Sequence, residues 1–366
     1  MSRAVLITQE LSGATAVEPA DEKETAEMLR GANEAGQAVI PTGGGTKLDW
    51  GNPPRKADVL LSMRKQSRVI EHAWADLTVT VEAGCTIADL QRTLAEHGQR
   101  LAIDPLWPER ATIGGVLSTN DSGSLRLGYG AMRDLIIGVT LVLADGTIAK
   151  SGGKVVKNVA GYDLPKLATG AMGTLGVITR AVFRLHPLPR NTRTLTISAD
   201  DADSMQRIIL AILDAQLAPA AVQARNGNVD ILLEGTLDGI AAQESAIKKF
   251  GLVREGSPDV WQARENMFGE TPIVKFTTLP SRIAAASTRF SRFVIQATGI
   301  GFAPFQGDLA ALRAAIERDG GSLMILGRSE LDSWGSPGNA LPLMRALKAQ
   351  FDPKATLNPG RFVGGI

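Results

Sequence analysis

The 366-residue sequence contains one cysteine and three histidines, and its aromatic side chains are five Trp, two Tyr and ten Phe. A single cysteine excludes an intramolecular disulfide framework and any zinc or iron–sulfur site built from this chain's own thiolates. It fits a reducing compartment. So few aromatics leave little material for a base-stacking surface. Charge of one sign is also missing: 39 Lys and Arg balance 38 Asp and Glu, for a net charge of +1. A dedicated nucleic-acid binder would show a basic excess. Long apolar runs are absent too. The longest, Leu135 to Ala144, is about half of the roughly 20 residues a spanning helix needs, and it runs into the turn Asp145-Gly146. It reads as a buried strand, so membrane contact is expected only peripherally or through a partner. Met1 to Ile7 shows no signal-peptide pattern.

Glycine is abundant, at 39 residues, well above the usual share of about 7%. Nineteen of these lie between Gly43 and Gly176, so the first half asks its backbone for many tight turns and close approaches. With 44% apolar and 21% charged residues, a sizeable core is expected. At roughly 150 residues per domain the length suggests two or three domains.

The early chain alternates helix and strand patterns. Asp21 to Gly36 is a helix with Asp21 as its N-cap. Gln37 to Ile40 is a strand that runs into Pro41-Thr42-Gly43-Gly44-Gly45-Thr46-Lys47. Further strands are expected at Val59–Met63, Thr78–Glu82 and Val177–Leu185. A helix from Thr86 is closed by Gly98, and a hairpin spans Ile136–Ala149 about Ala144-Asp145-Gly146-Thr147. After His186-Pro187-Leu188-Pro189 the pattern becomes strand, helix, strand, strand, helix, followed by a looser second round. That order suggests an antiparallel α+β domain with helices on one face. No repeat is strict enough to name. A last helix, Leu341 to Gln350, precedes Leu357-Asn358-Pro359-Gly360-Arg361.

Four glycine-rich runs stand at strand ends. Gly43-Gly44-Gly45 can turn successive N–H groups inward as an anion nest, although taken alone it is equally a flexible loop. It is neither a Walker loop, since Thr46 precedes Lys47 and Leu48 follows it, nor a Rossmann fingerprint, since Leu48 stands where the third glycine belongs. Ala111 to Val116 with Ser118 to Gly123 places small and hydroxyl residues in one short helix and its following loop. Gly152 to Leu164 and Gly170 to Thr179 are the others. Four such runs in one domain argue against chance turns and for backbone approached closely by a ligand.

These pieces resemble a known family. Pro41 to Thr46, Thr112-Ile113-Gly114-Gly115, Thr119-Asn120, Gly128-Tyr129-Gly130 with Arg133-Asp134, Asp145-Gly146 and Gly173 to Thr179 look like the FAD-binding domain of the vanillyl-alcohol oxidase (p-cresol methylhydroxylase, PCMH) type. The likeness spans roughly residues 1–190. The closing Leu357 to Arg361 is similar to the terminal segment of the D-lactate and glycolate dehydrogenase branch. Lys157 to Asp163 is similar to the FAD-binding E subunits of glycolate oxidase (glycolate dehydrogenase). The resemblance implies an α+β architecture: a two-subdomain PCMH-type FAD-binding domain over 1–190, an α+β cap domain with an antiparallel sheet over 191–335, and a C-terminal helix and segment, 336–366, returning to the flavin. It implies that Pro41, Thr42, Gly43, Gly44, Gly45 and Thr46 hold the diphosphate. Gly114, Gly115, Thr119, Asn120, Ser122 and Gly123 would line the flavin and ribityl region. Gly176, Val177 and Ile178 would contact the adenine–ribityl side, and Asn358 and Arg361 would reach the flavin from the C-terminus.

The sequence departs from the family in two ways. Positions 43–45 are all glycine where many relatives attach FAD through a histidine, so FAD is expected to be noncovalent, with Cys85 a small buried residue. Catalytic relatives also carry a His-rich metal cluster in the cap. Here His72, His97 and His186 all lie outside that region, so no metal is expected. Oxidation of a 2-hydroxy acid needs a base, a cation for the carboxylate and a hydride acceptor. Arg126, Arg133, Arg264 and Lys275 are candidate cations, and no catalytic base is identified. The expected function is therefore the FAD-binding subunit of a multi-subunit glycolate dehydrogenase that oxidises glycolate, and D-lactate as a further substrate, toward glyoxylate. Its expected partners are a catalytic flavoprotein subunit and an iron–sulfur subunit, and its expected location is cytoplasmic or peripheral at the inner membrane face. Two alternatives stay open: a self-sufficient FAD-dependent D-2-hydroxy-acid dehydrogenase using Arg, Tyr162 or Asp163 with Tyr129 as the other tyrosine to test, and an assembly subunit with a vestigial flavin site.

Overall fold

A computed structural model describes residues 13–153, 162–269, 272–327 and 329–366. The described chain gathers into two units. The first comprises the residues up to Asp121 with Ala131–Pro187 and Ser336–Ile366; the second comprises Ser122–Gly130 and Leu188–Gly335. The sequence-based boundary at 190 thus does not separate Ser122–Gly130. That stretch is bound into the second unit by the Gly128 N–H, which donates to the Ala220 carbonyl at 3.2 Å, and by the Tyr129 hydroxyl, 2.5 Å from a Glu234 carboxylate oxygen.

Among the described residues the first unit is built from two larger sheets and a two-stranded ladder. Strand β1 (Thr15–Val17) leads to helix α1 (Glu22–Glu34), β2 (Val39–Thr42) and β3 (Val59–Ser62). Helix α1 starts where its cap dictates: the Asp21 carboxylate accepts the Glu24 N–H at 2.9 Å. The three strands form a parallel sheet in the order β1-β3-β2. β4 (Val69–Ala73), β5 (Thr78–Glu82), α2 (Ile87–Ala95), the two-residue β6 (Gln99–Arg100) and α3 (Ile113–Thr119) follow. The hairpin β7 (Ile136–Val142) and β8 (Ile148–Gly152), then β9 (Val177–Arg184) and the short β10 (His186–Pro187), complete the unit. Strands β4-β5-β9-β7-β8 form an antiparallel sheet in that order, and β10 pairs with β6.

Each sheet has its own core. Leu29 of α1 packs with Val39, Leu61, Val142 and Val177. Val79, Val81, Leu90, Leu94, Ile113, Leu117 and Phe183 form the other cluster. Each fully buried aliphatic side chain contributes about 1.5–3 kcal/mol. The C-terminal segment joins the first of these cores through buried Leu357 and pairs with β2 in parallel. The Val39 N–H donates to the Thr356 carbonyl at 2.7 Å, and the Asn358 N–H donates to the Val39 carbonyl at 3.0 Å.

The second unit is one eight-stranded antiparallel sheet, and it holds a repeat that residue patterns did not reveal. Its first half runs β11 (Asn191–Ser198), α4 (Ala202–Asp214), β12 (Ala221–Arg225), β13 (Asn228–Gly235), α5 (Leu237–Ile247) and β14 (Val253–Glu255). Its second half runs β15 (Ile273–Thr277), α6 (Ile283–Ser287), β16 (Val294–Gln296), β17 (Ile300–Pro304), α7 (Leu309–Arg318) and β18 (Ser322–Leu326). The spatial order is β14-β11-β13-β12-β16-β17-β15-β18. Each half is a strand-helix-strand-strand-helix-strand unit, and the halves meet through their second strands in mirror-image order. Strands β15 and β17 were not anticipated. Gly301 makes β17 read as a loop, yet the glycine is what admits the Phe276 ring, one atom of which lies 2.2 Å from where a Cβ would stand.

Candidate cofactor cleft

Strand β2 carries the chain from a buried Ile40 straight into Pro41-Thr42-Gly43-Gly44-Gly45-Thr46-Lys47. Two of these glycines are required by space. A Cβ on Gly43 would lie 2.0 Å from Thr112 Oγ1, and one on Gly44 only 1.7 Å from the Arg110 carbonyl oxygen. Gly45 has φ +69°, in the left-handed region. Among the described residues, the N–H groups of Gly43, Gly44, Gly45 and Thr46 meet no protein acceptor. A run of such donors is the preorganised nest that anions occupy.

Helix α3 forms a second wall. Gly114 lets it sit against the turn after β5: a Cβ there would lie 2.9 Å from the Ala83 Cβ, and the Gly114 N–H donates to the Ala83 carbonyl at 2.8 Å. Gly115, Ser118 and Thr119 line the cleft from this helix. The third wall is the turn before β9, with Met172, Gly173 and Gly176 and then Val177 and Ile178 of β9. Asn358 and Arg361 close the fourth side. Asn358 is held at φ +45° by its Nδ2 donating to the Met172 carbonyl at 2.6 Å. The Arg361 guanidinium is committed to the carbonyls of Leu48 and Trp50, at 2.5 and 2.7 Å. The open space between these walls, mouth included, is about 720 Å³.

Most of the residues expected at the cofactor meet on these walls: Pro41 to Thr46, Gly114, Gly115, Thr119, Gly176, Val177, Ile178, Asn358 and Arg361. Asn120, Ser122 and Gly123 do not. Asn120 turns the chain out of α3 with φ +47°, and Ser122–Gly130 belong to the second unit. There the Ser122 carbonyl accepts from Arg264 at 2.8 Å and from Gln296 at 3.1 Å. Of the other lining residues, Lys47, Thr112, Ser118, Met172 and Gly173 lie inside the glycine-rich runs without having been named as cofactor residues, and Leu48, Met63 and Ala83 lie outside those runs. Lys47 was visible only as a mismatch to a Walker loop, and Met63 and Ala83 carry no motif at all.

The other candidates lie elsewhere. Tyr162 is 91% exposed, and the Asp163 carboxylate caps the short helix Leu164–Ala168 while pairing with Lys166 at 2.7 Å. The rest of the Lys157–Asp163 motif lies outside the described residues. Arg133 is exposed. In the second unit, Arg264 and Lys275 both stand over the Phe302 ring, at 5.1 and 5.9 Å from its centroid. Cys85 is buried, and burial, helped by the Asp89 carboxylate, pushes its thiol up to about 11. His72 and His97 meet edge to face at 5.2 Å, and His97 stacks on Trp74. No imidazole is among the residues lining the cleft.

Residues 14–152 match the family described as FAD binding domain. This segment is an FAD-binding domain. The chain is 33% identical over 207 residues to the glycolate oxidase subunit GlcD of Bacillus subtilis, covering 57% of this chain and 44% of that protein. It is 35% identical over 205 residues to a D-lactate dehydrogenase of Archaeoglobus fulgidus, covering 56% and 46%. The chain thus matches less than half the length of these relatives. Among solved structures it is similar to alkyldihydroxyacetonephosphate synthase, with a TM-score of 0.71 at 18% identity over 95% of this chain and 77% of that one. That likeness concerns the fold.

The FAD-binding domain's cleft fits a dinucleotide on its own chemistry. Its lining holds two cations, Lys47 and Arg361, and no carboxylate, which suits a diphosphate. Two buried acceptors on its walls, Thr112 Oγ1 and Asn358 Oδ1, have no hydrogen-bond partner in the protein. Such atoms are costly to leave unsatisfied, at about 1–3 kcal/mol each, and the hydroxyl and N–H donors of a ribityl chain or flavin would satisfy them. The Gly43–Thr46 N–H groups would hold the diphosphate, while Gly115, Thr119, Val177 and Ile178 supply small or apolar walls.

Proposed function

We propose that this chain is the FAD-binding subunit of a multi-subunit 2-hydroxy-acid dehydrogenase acting on glycolate or D-lactate, with FAD held noncovalently. The carrying observation is the cleft itself: a nest of unsatisfied N–H groups, two cations and two orphaned acceptors, with no imidazole, carboxylate, phenol or thiol among its lining residues. When bound, FAD supplies an acceptor for a hydride and a donor of electrons to a further carrier. The chain's own part is to bind and orient it. Gly43 to Thr46 fix one end, the Asn358 amide fixes its own acceptor through Met172, and Arg361 orders Leu48 and Trp50. The lining supplies no group to take a hydroxyl proton, which supports a homologous catalytic subunit and an iron–sulfur subunit as partners. Resemblance to a protein named as a glycolate oxidase subunit supports the same assembly. Among the described residues no helix is long and apolar enough to cross a membrane. The test is purification from the native host with flavin and iron analysis of what accompanies the chain. Recovery of a flavin-loaded chain with an iron-containing partner is expected. A colourless chain that takes up no FAD would sink the proposal.

A second reading rests on Arg264 and Lys275. Two cations over one Phe302 ring can hold a carboxylate, which favours a self-sufficient dehydrogenase. Reduction of an artificial dye by glycolate or D-lactate with the purified chain decides in its favour; no turnover decides against it.

A further inference from the structure

We propose that the second unit holds a binding site for a small zwitterion, a molecule with the carboxylate and ammonium groups of an amino acid. The site lies between strands β12 and β16 and the β14–β15 connection that packs on them. It shares no residue with the cofactor cleft and does not depend on the FAD reading.

One face of the eight-stranded sheet buries charge. Leu195, Ile197, Val222, Ala224, Val229 and Ile231 of β11, β12 and β13 belong to the core that holds α4. Strand alternation sends Thr196, Gln223, Arg225 and Asp230 to the other face. There the Asp230 carboxylate is fully buried. It accepts Thr196 Oγ1 at 2.8 Å, Gln223 Nε2 at 3.4 Å, and Nε and Nη2 of Arg225 at 2.5 and 3.1 Å. A buried ion pair adds little net stability, because desolvating both charges offsets their attraction. What this pair does achieve is orientation: it fixes the planar Arg225 fork along one edge. Among the described residues Arg225 Nη1 meets no protein acceptor, and Arg225 lines an open cavity.

The other wall of that cavity is the β14–β15 connection, with its two 3-10 turns, Pro258–Gln262 and Glu265–Met267. Gln223 Nε2 pins it to the sheet by donating to the Val260 carbonyl at 2.8 Å, and Trp261 Nε1 does so by donating to Thr194 Oγ1 at 3.1 Å. The open space, mouth included, is about 1040 Å³, larger than the 720 Å³ of the cofactor cleft. Arg225 and Arg292 line it from the sheet, where Arg225 pairs in register with Val294, two residues beyond Arg292. Buried Val294 and Met267, with Val260, give it an apolar lining. From the connection comes the Asp259 carboxylate. It accepts the Ser257 hydroxyl at 3.2 Å and has no basic partner among the described residues. A simple anion here meets the Asp259 charge, and a simple cation meets two guanidinium groups. A zwitterion satisfies both walls, and their fixed geometry lowers the cost of ordering them around it.

The experiment melts the full chain, Arg225→Lys and Asp259→Asn in the calorimeter with each protein amino acid at millimolar concentration. The strongest binder is then titrated beside its deaminated acid and its decarboxylated amine. A saturable rise in melting temperature is expected for at least one amino acid, which should bind more tightly than either analogue. Its addition should also slow hydrogen exchange in residues 257–267. Asp259→Asn should weaken the amino acid roughly 10-fold, the scale of one hydrogen bond to a charged group, and leave the deaminated acid at least as tightly bound. Arg225→Lys keeps the charge but loses the fork, so it should weaken the amino acid and the acid alike and spare the amine. The proposal is overturned if no amino acid raises the melting temperature, or if the deaminated acid binds as tightly as the amino acid. It is also overturned if Asp259→Asn changes neither ligand's affinity, or lowers both equally, as a merely structural residue would. If Arg225→Lys does not fold, Asp259→Asn, on an exposed turn, decides alone.

Discussion

Lys348 is the place where the C-terminal segment is locked to the cleft, and its replacement tests that logic. Its ammonium donates to Asp352 Oδ2 at 2.6 Å, to the Thr174 carbonyl at 2.8 Å and to the Leu357 carbonyl at 2.9 Å. Three donors meet three acceptors. The Asp352 carboxylate, 1% exposed, also accepts the Thr356 and Leu357 N–H groups at 2.9 and 2.7 Å. Burial lowers the lysine's pKa from its ordinary value, and the Asp352 charge opposes that shift. Lys348→Met keeps the volume and removes the charge. It leaves a buried carboxylate without a cation and two carbonyls without a donor. Breaking a buried pair from one side costs about 3–5 kcal/mol. At roughly 2–4 °C per kcal/mol for a domain of this size, the melting temperature should fall by roughly 6–20 °C. FAD affinity should fall too, because Thr174 adjoins the Gly173–Gly176 wall and Leu357 precedes Asn358. Calorimetry and hydrogen exchange at the Leu357 and Asn358 amides provide the assay. Adding Asp352→Asn to Lys348→Met should recover part of the loss, since no uncompensated charge then remains. A single variant that melts within about 1 °C of wild type, with unchanged exchange and FAD affinity, would refute the reasoning.

Other expectations follow from the same geometry. Gly44→Ala places a Cβ 1.7 Å from a carbonyl oxygen and should cost about 1–3 kcal/mol by overpacking while raising the FAD dissociation constant at least tenfold in a titration. Gly31→Ala, in the exposed middle of α1 with nothing within 4 Å, should instead stabilise by about 0.5–1 kcal/mol in denaturant melts. Burial, with Arg184 and Arg100 adding repulsion, lowers the His186 pKa from 6.5. The unfolded chain then binds the proton more readily, so stability at this position is present above pH 6.5 and declines as the pH falls below it. His186→Asn should flatten that part of the stability–pH curve. Cys85, with its thiol raised to about 11, should resist alkylation at pH 8 in the native protein and react once the chain is unfolded.

Much of this molecule is written in local chemistry. Asp21 caps α1 because its carboxylate accepts an N–H three residues on, and Gly98 and Gly146 mark turns because they sit at φ +65° and +83°. Four clustered glycine runs announced a ligand cleft, since glycine is what lets backbone approach backbone or ligand. Those signals are carried by residues close in sequence. Other features depend on contacts between residues far apart. The eight-stranded sheet with its mirrored halves depends on β12 finding β16 across some seventy residues, and Gly301 serves a phenylalanine on another strand. Asn120 to Gly123 carry the right residue types for a cofactor wall, yet the chain leaves that wall at Asn120. Lys47 matched no motif, because what makes it a buried cation is two tryptophans and an aspartate brought to it by the fold. Sequence alone determined where the backbone bends and which ligand class it can admit. Tertiary structure decided which side chains are desolvated together, because desolvation is a property of neighbours that the chain meets only after it folds.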